Sequence, residues 1–269
     1  MLKKYIPYAL IMLLSIPLIT SATDLSQNLD ALFYTDDIAR QEELIAEISK
    51  HDVPINTLIT LLKNTKFKKG VARGIRTAKN MCIDGIERPY YLYIPENYDH
   101  NKKTPLLVYL HGGVSRKDIS EDDVKYFKDS PFVKMAEEQG HILLFPVGQY
   151  GATWWDSIGI ANILQQIRVT KREYNIDDNR VFMTGFSDGG SGSFLFAMTY
   201  PSYFAGFMSL NGHPGVGSEA GKIQTYFVNL FNRPVYIINT DEDGLYPADE
   251  IRDMLELAHE AGANIFYRI

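Results

Sequence analysis

Five short stretches of largely apolar sequence constrain this chain most: residues 105–110, 142–146, 180–184, 204–210 and 234–239. A strand covered on both faces must be apolar at nearly every position, while a strand with one wet face alternates. These five belong to the first kind. Between them lie helical patterns at 158–174, 192–200 and 248–261. Buried strands alternating with helices of that length predict an α/β fold built on an open, mostly parallel sheet, with ligands at the carboxyl ends of its strands. Ahead of them, residues 88–94 alternate and stop at Pro95, as a half-exposed strand would.

Composition agrees with a packed domain. The chain is 45% hydrophobic and 22% charged over 269 residues, which excludes a disordered or fibrous protein and allows one large domain with a small extension. Lys and Arg number 27 against 33 Asp and Glu. A net charge of −6 gives no support to nucleic-acid binding, and the one basic cluster, 63–79, reads as a solvated junction. The single Cys82 can form neither an intrachain disulfide nor a thiolate metal site, and is expected to be a buried packing residue.

The first 22 residues place Lys3 and Lys4 before an apolar run from Tyr5 to Ile19 and close on Thr20, Ser21 and Ala22. That order is the pattern of a cleaved secretory signal, so the protein is expected to be secreted or periplasmic, with no membrane span after cleavage. Residues 23–70 form an N-terminal extension with helical spacing. Thr35, Asp36 or Asp37 can cap a helix bearing Ile38, Leu44, Ile45 and Ile48. Pro54 opens a second with Ile55, Leu58, Ile59 and Leu62. Residues 71–269 carry the alternating strands and helices and are expected to form the α/β domain.

Residues 180–184 run into Gly185-Phe186-Ser187-Asp188-Gly189-Gly190 and then a helix. A G-x-S-x-G alone is a weak signal, but between a buried strand and a helix it is a nucleophile elbow, which lifts a serine above the sheet. A serine hydroxyl is a poor nucleophile unless a base removes its proton and donors hold the oxyanion that forms. For the oxyanion, the strand ending at Leu110 leads into His111-Gly112-Gly113; the N–H of Gly113 is paired with that of Asp188. Asp243, in the turn after strand 234–239, is the candidate acid, with Asp241 in reserve. Trp154 and Trp155, in the segment opening helix 158–174, are candidates for substrate stacking, as is His111 for shaping the pocket; packing beneath the loop is the alternative for both indoles. No metal or organic cofactor is implied.

Residues 90–113, 168–190 and the turn Asp243-Gly244-Leu245-Tyr246-Pro247 resemble α/β-hydrolase esterases of the polyhydroxybutyrate depolymerase, feruloyl esterase and prolyl-oligopeptidase-like groups. The resemblance covers residue 71 to the end. It implies the α/β-hydrolase fold, an eight-stranded-type sheet with helices on both faces, with Ser187 as nucleophile, Asp243 as acid and Gly112, Gly113 and Asp188 at the oxyanion positions. It also implies a carboxylic ester substrate, either a small molecule or one linked to a polysaccharide. A serine peptidase and a non-catalytic binding domain are the alternatives.

The family order requires a histidine after the last strand. Residues 263–269 read as that strand, so the chain is expected to be truncated at its C-terminus relative to a complete enzyme. His259 falls within a helical pattern, while His213, just past strand 204–210, is the candidate for a pocket residue or a substitute base.

Overall fold

The computed structural model describes residues 24–35, 37–63, 67, 70–115 and 121–269. The expected signal sequence, 1–22, lies outside these. The chain divides into two units at Phe67/Lys68.

In the first unit the extension is helical, as its spacing predicts, with one more helix than the expected pair: α1 (24–34), α2 (Ile38–Ser49) and α3 (Ile55–Lys63). Of the three possible caps, Asp37 takes the role; its carboxylate accepts the Arg40 amide and so satisfies a donor that the first helical turn leaves open. Leu25, Leu29 and Leu44 are buried, whereas Ile38, Ile45 and Ile55 are exposed.

The second unit is built on an eight-stranded sheet. Its strands are β1 (Gly74–Met81), β2 (Glu87–Ile94), β3 (Thr104–Leu110), β4 (Ile142–Pro146), β5 (Ile176–Phe186), β6 (Gly206–Leu210), β7 (Val235–Ile238) and β8 (Ile265–Arg268), in the order β1-β2-β4-β3-β5-β6-β7-β8. The first two form an antiparallel hairpin and β2 is antiparallel to β4; β3 to β8 are parallel. All seven residues of β3 and all five of β4 are buried, as continuous apolar runs require.

Helices cover both faces. On one face α6 (Ser157–Glu173), α7 (Asp188–Thr199) and α9 (Ala248–Glu260) pack on Leu106, Val108, Met183, Phe207, Val235 and Ile265. On the other, α4 (Glu121–Lys128) and α5 (Pro131–Gln139) contribute Phe127 and Ala136 to a smaller core with Tyr91, Leu107, Tyr109, Leu143 and Phe145. Handedness accounts for the uneven distribution. From β5 to β8 every step moves the same way along the sheet, so right-handed crossovers return on one face each time. Among the described residues, the opposite face of β5–β8 keeps an apolar hollow of about 300 Å³ lined by Phe182, Met208, Tyr236 and Phe266, with Phe132 and Met135 of α5 at its border.

Several boundaries differ from the sequence expectation. The strand expected at 180–184 extends to Ile176 and Phe186, and the helix expected from 192 begins at Asp188, directly after the serine. The strand expected from 204 starts at Gly206, because Pro201–Tyr203 forms a single 3₁₀ turn whose first carbonyl, that of Pro201, accepts the Phe204 amide. Cys82 is buried and free.

Candidate active site

Ser187 stands between β5 and α7 at φ 56° and ψ −120°, a conformation that side-chain-bearing residues avoid. Two close approaches make the turn this sharp. A Cβ on Gly189 would lie 1.9 Å from the Leu110 carbonyl oxygen, and one on Gly185 would lie 2.3 Å from the Gly189 carbonyl carbon. Only glycine fits at either position. The Ser187 amide donates to the Leu210 carbonyl at 2.9 Å and its own carbonyl accepts from the Ser191 amide, so the backbone is tied to β6 while the residue stays half-buried.

Beside it lies the loop after β3. The ideal Cβ position of Gly112 is 3.1 Å from the Ser187 Cβ, and Gly113 takes a left-handed φ of 65°. Among the described residues the amides of Gly112, Gly113 and Asp188 donate to no partner, whereas the Val114 amide donates to Asp188 Oδ2 at 2.9 Å. Gly112 is thus a neighbour of Ser187, and the Asp188 amide lies at the amino-terminal end of α7, whose dipole favours negative charge.

His111 holds this loop from beneath. It is 1% exposed and lies between the Phe145 and Trp154 rings; Nδ1–H donates to the Gly112 carbonyl at 2.7 Å and Nε2 accepts from Gly148 N–H at 3.0 Å. Trp154 completes the support, its indole N–H donating to the His111 carbonyl at 2.9 Å. The expectation that the indoles stack on substrate meets a plain obstacle: Trp154 is 1% and Trp155 8% exposed, both within the core under the loop. Packing, the alternative for these two, is what the structure gives them.

Asp243 lies in the turn after β7. Oδ1 accepts the Leu245 and Tyr246 amides at 2.9 and 3.0 Å, and Oδ2 accepts from Asn211 Nδ2 at 2.8 Å. The Asn211 amide, and behind it the two backbone donors, hold the carboxyl below the ordinary carboxylate range against the opposing effect of burial. Asp241, the reserve, is exposed. Asn211 itself sits at the end of β6 with φ 46°, and its amide also donates to Thr240 Oγ1.

His213 follows on the same edge. Its backbone N–H donates to Ser191 Oγ and its ring lies 5.9 Å from that of Tyr246. Gly215 N–H donates to Nδ1 at 3.0 Å, which places the ring proton on Nε2, and burial lowers the pKa of the imidazole. Among the described residues no histidine hydrogen-bonds to Ser187 or Asp243. His259 lies on α9 in a hollow with Leu255, Glu256 and Tyr267, apart from the strand-end cluster.

The structure therefore groups Ser187, Gly113, Asp188, Asp243 and His213 at the carboxyl ends of β3, β5, β6 and β7. Sequence reasoning missed Asn211, Tyr246 and the side chain of Asp188. An Asn-Gly pair closing a buried strand was the one local signal, pointing to a left-handed asparagine.

A mostly parallel sheet with helices on both faces and a serine on its strand-to-helix elbow define an α/β-hydrolase fold. No protein-family model matches the chain. It resembles acetylxylan esterase A of Aspergillus oryzae, with 28% identity over 135 residues, 46% of this chain and 41% of that protein. The chain thus corresponds to about two fifths of the length of the curated relatives it matches. A thermostable esterase of known structure superposes with a TM-score of 0.56 at 23% identity, over 72% of this chain and 54% of that one. The acylaminoacyl peptidase of Pyrococcus horikoshii gives 0.57 at 18%, over 81% and 39%.

Proposed function

We propose that this protein is a serine hydrolase that cleaves carboxylic esters through an acyl-enzyme, and that its substrates are acetyl esters carried on a polysaccharide. The observation that carries the reading is the strained Ser187 beside unpartnered amides, with an ionised Asp243 held ready by Asn211. The ester class and the acetyl group follow from the resemblance to acetylxylan esterases. Action outside the cytoplasm follows from the signal pattern of residues 1–22.

In this mechanism Ser187 Oγ attacks the ester carbonyl as its proton passes to a base, and the N–H groups of Gly113 and Asp188 hold the oxyanion. Collapse expels the alcohol, which takes up the proton, and water repeats the sequence to release acetate and free serine. Asp243 stabilises the charge on the base. His213 can take that role only by releasing the Gly215 amide from Nδ1; otherwise it lines the pocket.

The test is turnover of p-nitrophenyl acetate and acetylated xylan by residues 23–269, with fluorophosphonate labelling read by mass spectrometry. Label on Ser187, with label and turnover both lost in Ser187→Ala, supports the reading; loss of a triad member costs several orders of magnitude. His213→Ala then shows whether that ring moves the proton. Turnover that survives Ser187→Ala refutes the assignment, as does a folded chain that neither labels nor turns over; equal turnover of N-acyl peptides turns it toward a peptidase.

A further inference from the structure

Asp188 has two parts with different partners. Its backbone N–H is free for an oxyanion, while its carboxylate is fully engaged elsewhere: Oδ2 accepts the Val114 amide from the loop after β3, and Oδ1 accepts the Tyr246 hydroxyl at 3.3 Å from the turn after β7. The Tyr246 amide in turn donates to Asp243 Oδ1. One side chain on the first turn of α7 thus ties together three segments: the serine elbow, the oxyanion loop and the acid turn.

The consequence for the loop is specific. Of the successive amides 112, 113 and 114, the carboxylate takes the third and leaves the first two. The Val114 side chain is fully buried, so the carboxylate and the core grip this residue from two sides and fix the peptide next to Gly113, whose left-handed backbone gives the loop no stiffness of its own. Without that hold the Gly113 amide would wander, and a donor that must reorganise during reaction stabilises an oxyanion poorly. A carboxylate beside an oxyanion is electrostatically adverse, so its presence here is explained by what it holds.

Resting on the serine-hydrolase reading, we infer that the Asp188 carboxylate is a positioning residue, which sets the oxyanion hole by holding Val114 N–H and couples that hole to the acid turn through Tyr246.

The experiment compares wild type, Asp188→Ala and Asp188→Asn on p-nitrophenyl acetate, with rates divided by the serine titrated with fluorophosphonate. It is paired with hydrogen exchange of the peptide spanning residues 109–115. Asparagine keeps an acceptor for Val114 N–H and can pair with the Tyr246 hydroxyl through its own N–H. Asp188→Ala should lower kcat by about tenfold or more with KM within about threefold, since losing one oxyanion donor outright costs about 10²–10³. Asp188→Asn should recover most of that loss. Exchange at 111–115 should accelerate in the alanine variant alone. A merely structural role would reduce the titrated fraction and leave kcat per titrated serine alone. Unchanged kcat per site, or unchanged exchange in Asp188→Ala, overturns the inference. Turnover that persists in Ser187→Ala overturns the serine reading instead, and exchange alone then decides whether Asp188 holds the loop; the same measurement decides if wild type shows no turnover.

Discussion

Asn211 shows how a single side chain holds a carboxylate ionised. Asparagine accepts the left-handed backbone more readily than most residues, and in that pose its amide reaches Asp243 and Thr240 together. Because the folded pKa of Asp243 is depressed, the stability it contributes is fully present above its unfolded value of about 3.9 and is lost as pH falls through the folded value. Asn211→Ala removes the largest cause of that depression. Its thermal midpoint should therefore fall below wild type at neutral pH, and the gap should narrow below about pH 4 to a remainder set by backbone strain and the lost Thr240 contact. Thermal melts from neutral pH to about pH 2.5 check this, and a constant gap would contradict it. The places of Ser187 on the elbow and of Asp243 in the turn after β7 were legible in the sequence because both are local patterns. The Asp188 carboxylate was not, since its partners Val114 and Tyr246 are 74 and 58 residues away. The burial of Trp154 was equally hidden: a tryptophan near a strand end looks the same in sequence whether it lines a pocket or lies beneath it.

Among elements, the β5–α7 junction carries the site, and its tolerance is narrow. A methyl on Gly189 would be driven into the Leu110 carbonyl, a backbone atom of a central strand that cannot move aside as a flexible side chain could. Gly189→Ala should therefore cost at least about 3 kcal/mol, the upper end of ordinary overpacking, and separate β3 from α7. Urea unfolding reads the cost directly, and a loss below about 1 kcal/mol would mean that the two elements are less tightly docked than they appear. Strands 142–146 and 105–110 could be placed within a residue because burial on both faces leaves no alternation to misread. Helices α4 and α5 were missed although α5 has full punctuation: Ser130 caps it, Pro131 opens it and Gly140 closes it in the left-handed region. Its sequence mixes charged with apolar positions over only nine residues, too short a window for periodicity to stand out.

At the scale of the whole molecule, one rule of chirality explains the distribution of cover. Crossovers from β5 through β8 all return on one face, and the opposite face presents Phe182 at 37% and Phe266 at 58% exposure around an apolar hollow. Such a face should bind an apolar dye. In Phe182→Ser/Phe266→Ser, anilinonaphthalene sulfonate fluorescence should drop severalfold with the thermal midpoint nearly unmoved, because neither ring belongs to the buried cores. Fluorescence equal to wild type would place the dye elsewhere. The α/β class and the parallel sheet were readable from the five apolar runs; which face each helix covers was not, since it depends on strand order, and local sequence does not encode that order. The same strand order has a practical consequence for altering the protein. Every group assembled around Ser187 is delivered by a loop leaving the carboxyl end of a strand, while the strands pair through backbone atoms further back. A mutagenesis library at the exposed positions 222, 224, 226, 241, 242, 244 and 245, which spares Asp243, Tyr246 and the tightly packed Gly217 and Gly221, can therefore vary these loops without re-registering a single strand, and most of its members should still fold.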